Sequence, residues 1–382
     1  MTTTPKAGLE GMIAGDTAIA SVLQDKLIYR GYEIHDLAEH ATFEEVAFVL
    51  LEGHKPSKSE LTRFKDELIA NRALPGPVKD FLKASRPMLR EGTAVPMDVM
   101  RTCVSILGNL DHDAQSNEPE ANLWKSKRLL AKMPTIIGHM QNVIDGKEFV
   151  APETGGDAKL SHAANLLYLM TGEKPREDAA KVMDVSLILY AEHDFNASTF
   201  TGRVIAATLS DMHGAVTGAI AALKGPLHGG ANEAAIEMLR EVKAAVDGGM
   251  SVEDWMADAF EKKKKLMGFG HRVYKKGDHR APILHALGRR IAARRGGEFL
   301  EYFTIGEQVQ SIMETRKEIY PNVDFPCGLT YFAMDIPVAQ YTPIFVASRV
   351  SGWCAHIMEQ HANNRLIRPI ANYIGEMPRA WG

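Results

Sequence analysis

Apolar residues along this chain recur at helical intervals far more often than they alternate. Leu61, Phe64, Leu68 and Ile69 fall on one face of a helix, and Val99, Cys103, Ile106 and Leu107 repeat that spacing. The ends of such runs are marked. Thr42 and Glu45 have the spacing of a capping box, in which a hydroxyl and a carboxylate satisfy each other's backbone N–H groups, and Gly53 closes the apolar run that follows. Ser57 and Glu60 form a second box, and the Pro- and Gly-rich residues 73–77 end the segment it opens. Alternation is confined to residues 17–32, around Ile19, Val22, Ile28 and Tyr32. The pattern predicts an all-α fold with at most a minor N-terminal β element.

Residues 199–223 carry small side chains at a four-residue spacing, Gly214, Gly218 and Ala222, beside Ala215 and Ala219. This allows close helix approach. Arg203, Asp211 and His213 argue against a membrane span. Two readings stand: a tightly packed internal helix, or a helix at a subunit interface. Gly/Pro clusters at 225–230 and 326–328 interrupt the helical pattern and could bracket an inserted subdomain.

Composition narrows the classes. The chain has 382 residues, enough for two substructures, and 45% are apolar. A formal charge of -4, with no block of like charge at either end, gives no reason to expect nucleic acid or an anionic membrane as partner. Residues 1–11 are polar and lack the apolar stretch of a signal peptide. No apolar run is long enough to cross a bilayer. The three cysteines, Cys103, Cys327 and Cys354, form no CxxC motif and no even framework. A reducing cytosol is the expected setting.

Four polar clusters could carry chemistry. Residues 191–199 place His193 where one helix ends and another, capped by Asn196 or Ser198, begins. Residues 225–232 set His228 between a Gly-Pro turn and a Gly-Gly pair, just ahead of a helix. There it is either a loop histidine or a neutral imidazole donating to a developing oxyanion, since a helix N-terminus disfavours imidazolium. Residues 268–280 begin like a dinucleotide fingerprint. However, Val273 replaces the third glycine, and Lys262 to Lys265 precede it where a strand is needed. Residues 322–328 hold Asp324 between Val323 and Phe325, either a surface turn residue or a desolvated base of raised pKa. Arg349 and Arg368 are suited to carboxylates by their forked guanidinium, or are surface charges. His356 and His361 are five apart, and no zinc or phosphate-loop motif occurs, so no metal is expected.

Taken in order, GPLHGGANE, MGFGHRVYK, the following D-x-R, VDF and SR…IRP resemble the citrate synthase family, from LIYRGYEIHDLA onward. AEHDFNASTFTGRV and AHIMEQHANNRLIRP are similar to short bacterial members that make 2-methylcitrate, citrate or both. The resemblance implies that Asp324 removes the α-proton of an acyl-CoA while His228 binds its thioester oxygen. His271 would polarise the oxaloacetate ketone, and water would release CoA. It assigns oxaloacetate binding to Arg72, His193, Arg280, Arg349 and, from a neighbouring subunit, Arg368. Lys265, Leu266, Met267, Gly268 and Phe269 would line the CoA adenine site. It further implies a homodimer, no cofactor, and a large domain (1–223 and 336–382) interrupted by a small one (224–335). His279 replaces the family's usual proline. Pro326 stands where citrate-specific members often carry tyrosine, which ties both positions to acyl preference. Two other classes remain to be separated: a nicotinamide oxidoreductase on the GFG loop, and a silent helical interaction protein in which His228, His271 and Asp324 do not converge.

Overall fold

The computed structural model describes residues 11–156, 159–376 and 378–380. Residues 1–10, most of the segment on which the expectation about a signal peptide rests, lie outside the described residues. Seventeen α-helices and one small sheet are present among the described residues. Among the described residues no helix is long and apolar enough to cross a membrane. The sheet is an antiparallel meander, β1 (Ala20–Val22), β2 (Leu27–Tyr29) and β3 (Tyr32–Glu33), with Ala20 opposite Tyr29 and Ile28 opposite Glu33. This is the alternating segment, and it buries Ile19, Leu27 and Tyr29.

Both capping boxes form. Thr42 and Glu45 open the Phe43–Glu52 helix, which Gly53 ends in the left-handed region, and Ser57 and Glu60 open the Lys58–Ala70 helix. The Gly76–Ala84 helix begins within the predicted turn, because Pro77 lies in its first turn, where its missing N–H costs nothing. Two long helices, Pro119–Asp145 and Tyr341–Ala362, are buried along most of their length. The helices before residue 224 pack around them. Ala231–Asp247, Val252–Glu261, Ala281–Arg295, Gly297–Lys317 and Asp324–Ala333 pack largely on one another.

The small-residue stripe lies on the Met212–Leu223 helix, which packs on the Ala197–Ala206 helix of the same chain. A Cβ on Gly218 would collide with Ile205 Cδ1. Close packing inside one chain therefore accounts for Gly218.

Candidate active site

Three inter-helix connections and the start of one helix converge on a cleft of about 630 Å³. The first connection joins the Glu177–Tyr190 and Ala197–Ala206 helices and carries His193. Asn196 caps the second of these helices, its side chain accepting from Thr199 N–H at 3.1 Å. Asp194 sits at φ +54, a left-handed conformation unusual outside glycine, in the elbow that brings His193 to the cleft. The His193 ring lies 5.1 Å from His271 and 5.6 Å from Tyr274. Burial, reinforced by Arg280, lowers its pKa well below the ordinary value, so the ring is neutral.

His228 lies in the turn before the Ala231–Asp247 helix. The next N–H, of Gly229, donates to Leu223 O at 2.9 Å, and any Cβ on Gly229 would strike that carbonyl. Only glycine permits this approach. His228 Nε2 lies 2.8 Å from Ser198 Oγ and accepts the Ser198 N–H at 3.3 Å. Since a backbone N–H only donates, the neutral ring must carry its proton on Nδ1. Burial first, then Arg349, push its pKa down to about 4.

The glycine loop is stitched to the strand-like residues ahead of Asp324. Gly270 N–H donates to Tyr320 O at 2.8 Å, Asn322 N–H to Gly268 O at 2.9 Å, and the Asn322 amide to Gly270 O at 3.0 Å. Gly268, at φ +82, has no room for a side chain, since a Cβ would lie 2.8 Å from Phe325 Cβ. His271 Nδ1 accepts two backbone N–H groups, of Val273 and Tyr274, each at 3.1 Å, so its proton is on Nε2. Burial and then Arg280 lower its pKa to about 4.

Asp278 holds Arg280 in a fork, 3.0 Å to Nε and 2.7 Å to Nη2. Burial alone would raise the Asp278 carboxyl, but the Arg280 guanidinium outweighs it and holds it well below the carboxylate range. The same carboxylate accepts Val323 N–H at 3.2 Å, tying the loop to the residue before Asp324. Arg280 Nη1 and Arg349 Nε donate to Leu189 O (3.3 Å) and Tyr190 O (2.7 Å). These carbonyls belong to the last turn of the Glu177–Tyr190 helix, where orphan acceptors and the negative dipole end favour cations. The terminal nitrogens of Arg349 make no hydrogen bond among the described residues, and Arg349 lines the cleft.

Asp324, half-buried, opens the Asp324–Ala333 helix. Its Oδ1 accepts the Tyr190 hydroxyl at 2.7 Å. Burial raises its pKa to about 6, against the opposing pull of that hydrogen bond.

His193, His228, His271, Arg280, Asp324 and Arg349 thus share one cleft. Other expectations are corrected. Arg72 is buried away from it, donating to Thr154 O and Leu160 O at 2.8 Å each, so its guanidinium holds a loop. Arg368, whose expected place is a neighbouring subunit's site, is exposed in the C-terminal segment and lies outside the cleft of its own chain, which leaves that expectation as it stood. Pro326 does not flank the base on the cleft side. Two residues after Asp324, it turns to the opposite face of the helix and lines a separate cavity of about 460 Å³, together with His279. His228 is neutral chiefly through burial, with Arg349 the charge that adds to it.

Lys265 is exposed, Leu266 and Gly268 are buried, and the 265–269 segment leads into the cleft residues Gly270 and His271. Asp111, His112 and Asp113 could share an ion by proximity, but Arg128 already bridges both carboxylates at 2.7 and 2.8 Å.

Sequence reasoning gave Tyr190 and Asp278 no role of their own. Tyr190 reads as the end of an apolar helix and carries no local signal. Asp278 had one: a carboxylate two residues before Arg280 can reach the same guanidinium.

A carboxylate of raised pKa, two neutral imidazoles with fixed N–H donors, and two arginines define an acid–base enzyme. The site suits a carbonyl substrate that bears carboxylates. A family model described as citrate synthase, C-terminal domain, matches residues 8–370. The 2-methylcitrate synthase of Shewanella oneidensis is 44% identical over 98% of this chain and 96% of its own length. Citrate synthase 2 of Bacillus subtilis is 41% identical, over 97% and 96%. Among solved structures, citrate synthase of Pyrobaculum aerophilum has a TM-score of 0.88 at 36% identity, covering 98% of this chain and 93% of that one. Citrate synthase of Thermoplasma acidophilum, in a ternary complex with carboxymethyl coenzyme A and oxaloacetate, has the same TM-score at 32% identity, over 98% and 97%. The chain belongs to the citrate synthase family and is an enzyme that condenses an acyl-CoA with oxaloacetate. The oxidoreductase and silent-protein readings are set aside.

Proposed function

We propose that this enzyme accepts both propionyl-CoA and acetyl-CoA, giving 2-methylcitrate and citrate with release of CoA. The observation that carries the mechanism is the pair of fixed tautomers opposite a carboxylate of raised pKa. Asp324 takes a proton from the carbon beside the thioester. His228 Nδ1–H donates to the thioester oxygen as negative charge develops there. The enolate carbon then bonds to the oxaloacetate ketone carbon. His271 Nε2–H donates to the ketone oxygen, which becomes the product hydroxyl. Water cleaves the thioester, leaving a carboxylate and free CoA. His193, Arg280 and Arg349 bind oxaloacetate, and residues 265–269 line the adenine end of CoA.

Residues 224–335 form the smaller unit, closing over the cleft to keep the enolate from water. The working form is a homodimer in which Arg368 reaches the neighbouring site. The setting is cytoplasmic, and the reaction uses neither metal nor cofactor. Initial rates of CoA release with each acyl-CoA and oxaloacetate test the substrate range. Comparable turnover of both supports it, and propionyl-CoA rates equal to a no-enzyme control would restrict the enzyme to citrate. His228→Ala should lower kcat about 10²–10³-fold, as expected for an oxyanion donor.

A further inference from the structure

Behind His193 runs a chain of buried polar groups that the reaction above leaves unused. Glu192 is wholly buried. Its Oε1 accepts the His193 N–H at 2.8 Å and lies 3.0 Å from His356 Nε2. His356 Nδ1 lies 3.1 Å from Arg203 Nη1. A guanidinium has no acceptor, so Nδ1 must accept, and the His356 proton sits on Nε2 and is donated to Glu192. Arg203 is in turn paired with Glu359 at 2.7 Å, and Glu359 Oε1 accepts Ala18 N–H at 2.8 Å, just ahead of β1. Gly352 leaves space for the carboxylate, since a Cβ there would strike Glu192 Oε2. Neither Glu192, His356 nor Arg203 lines the cleft, so none touches substrate.

We propose that Glu192 and His356 are positioning residues for oxaloacetate binding, fixing the elbow that holds His193 in the cleft. This rests on the reading of His193 as an oxaloacetate ligand. The elbow contains Asp194 at φ +54, a conformation that persists only where the surroundings hold it. Glu192 supplies that hold through the very next N–H, and His356 keeps the carboxylate oriented by donating to the same oxygen. Tyr29 fixes the other side of the residue, its hydroxyl donating to Glu192 O at 2.9 Å.

The test compares His356→Phe with His356→Gln. Phenylalanine keeps a ring and loses both bonds. Glutamine supplies one donor for Glu192 and one acceptor for Arg203. The phenylalanine variant should raise KM for oxaloacetate about tenfold, the effect of one charge-assisted hydrogen bond. Its kcat at saturation and KM for acyl-CoA should stay within about twofold, and glutamine should restore most of the loss. Equal losses in both variants, or none in either, would overturn the proposal. If the phenylalanine variant does not fold, ¹⁵N NMR of the wild-type histidines decides: a proton on Nε2 of His356 supports the relay, and one on Nδ1 overturns it. His193→Asn separates the underlying reading. An unchanged oxaloacetate KM there would fault the role given to His193, whereas a raised KM with an unaffected His356→Phe would fault the relay alone.

Discussion

Asp324 is proposed as the base because its carboxyl is desolvated enough to hold a proton yet shares a hydrogen bond that keeps it ionisable. With a pKa raised by burial to about 6, the active carboxylate forms as pH rises through that value. Activity, measured as kcat/KM for acyl-CoA, should therefore climb through about pH 6 and level off above it. Tyr190→Phe removes the hydroxyl that favours the charged form, so the acid limb should move to higher pH, which a pH–rate profile will read. The stability consequence has the opposite sign from a salt-bridged aspartate. Between the ordinary value of 3.8 and about 6 the folded chain holds the proton that the unfolded chain has lost, so this group's contribution falls as pH rises. Asp324→Asn should abolish condensation at pH 8 without lowering the melting temperature, as thermal unfolding will show.

At the scale of elements, helix contacts decide two outcomes. Gly218 meets Ile205 directly, so Gly218→Leu should overpack the contact between the Met212–Leu223 and Ala197–Ala206 helices and cost about 1–3 kcal/mol in chemical denaturation. Pro326 lies on the far side of the Asp324–Ala333 helix from the cleft. Pro326→Tyr should therefore leave the ratio of kcat/KM for propionyl-CoA and acetyl-CoA within about twofold. A single methylene in an apolar pocket is worth about 1–3 kcal/mol, so a residue touching the acyl group would shift the ratio further.

Across the whole molecule, the C-terminal segment stands out. Leu366, Ile370, Tyr373 and Ile374 are 57%, 88%, 73% and 91% exposed, a concentration of apolar surface uncovered within one chain and suited to a partner subunit. If Arg368 completes the neighbouring site, Arg368→Ala and Asp324→Ala chains should complement each other. Unfolded and refolded together in equal amounts, they should regain about a quarter of wild-type activity, because half the dimers are hybrids with one intact site. Each variant alone should remain inactive, and sedimentation should report a dimer.

What the sequence determined by itself was local and ordered. The capping boxes at Thr42 and Ser57, the helical spacing and the minor sheet follow from interactions within a few residues. The family likeness picked out His193, His228, His271, Arg280, Asp324 and Arg349 through motifs in a fixed order, and the fold brings all six to one cleft. Tertiary structure decided what depends on the far side of a contact. Tyr190 and Asp324 are separated by 134 residues, and neither neighbourhood records the bond between them. Arg72, suggested by the family likeness, and Pro326, two residues after Asp324, do not line the cleft. Direction is set by the turn that precedes a residue and by the atoms packed against it, and linear spacing holds neither.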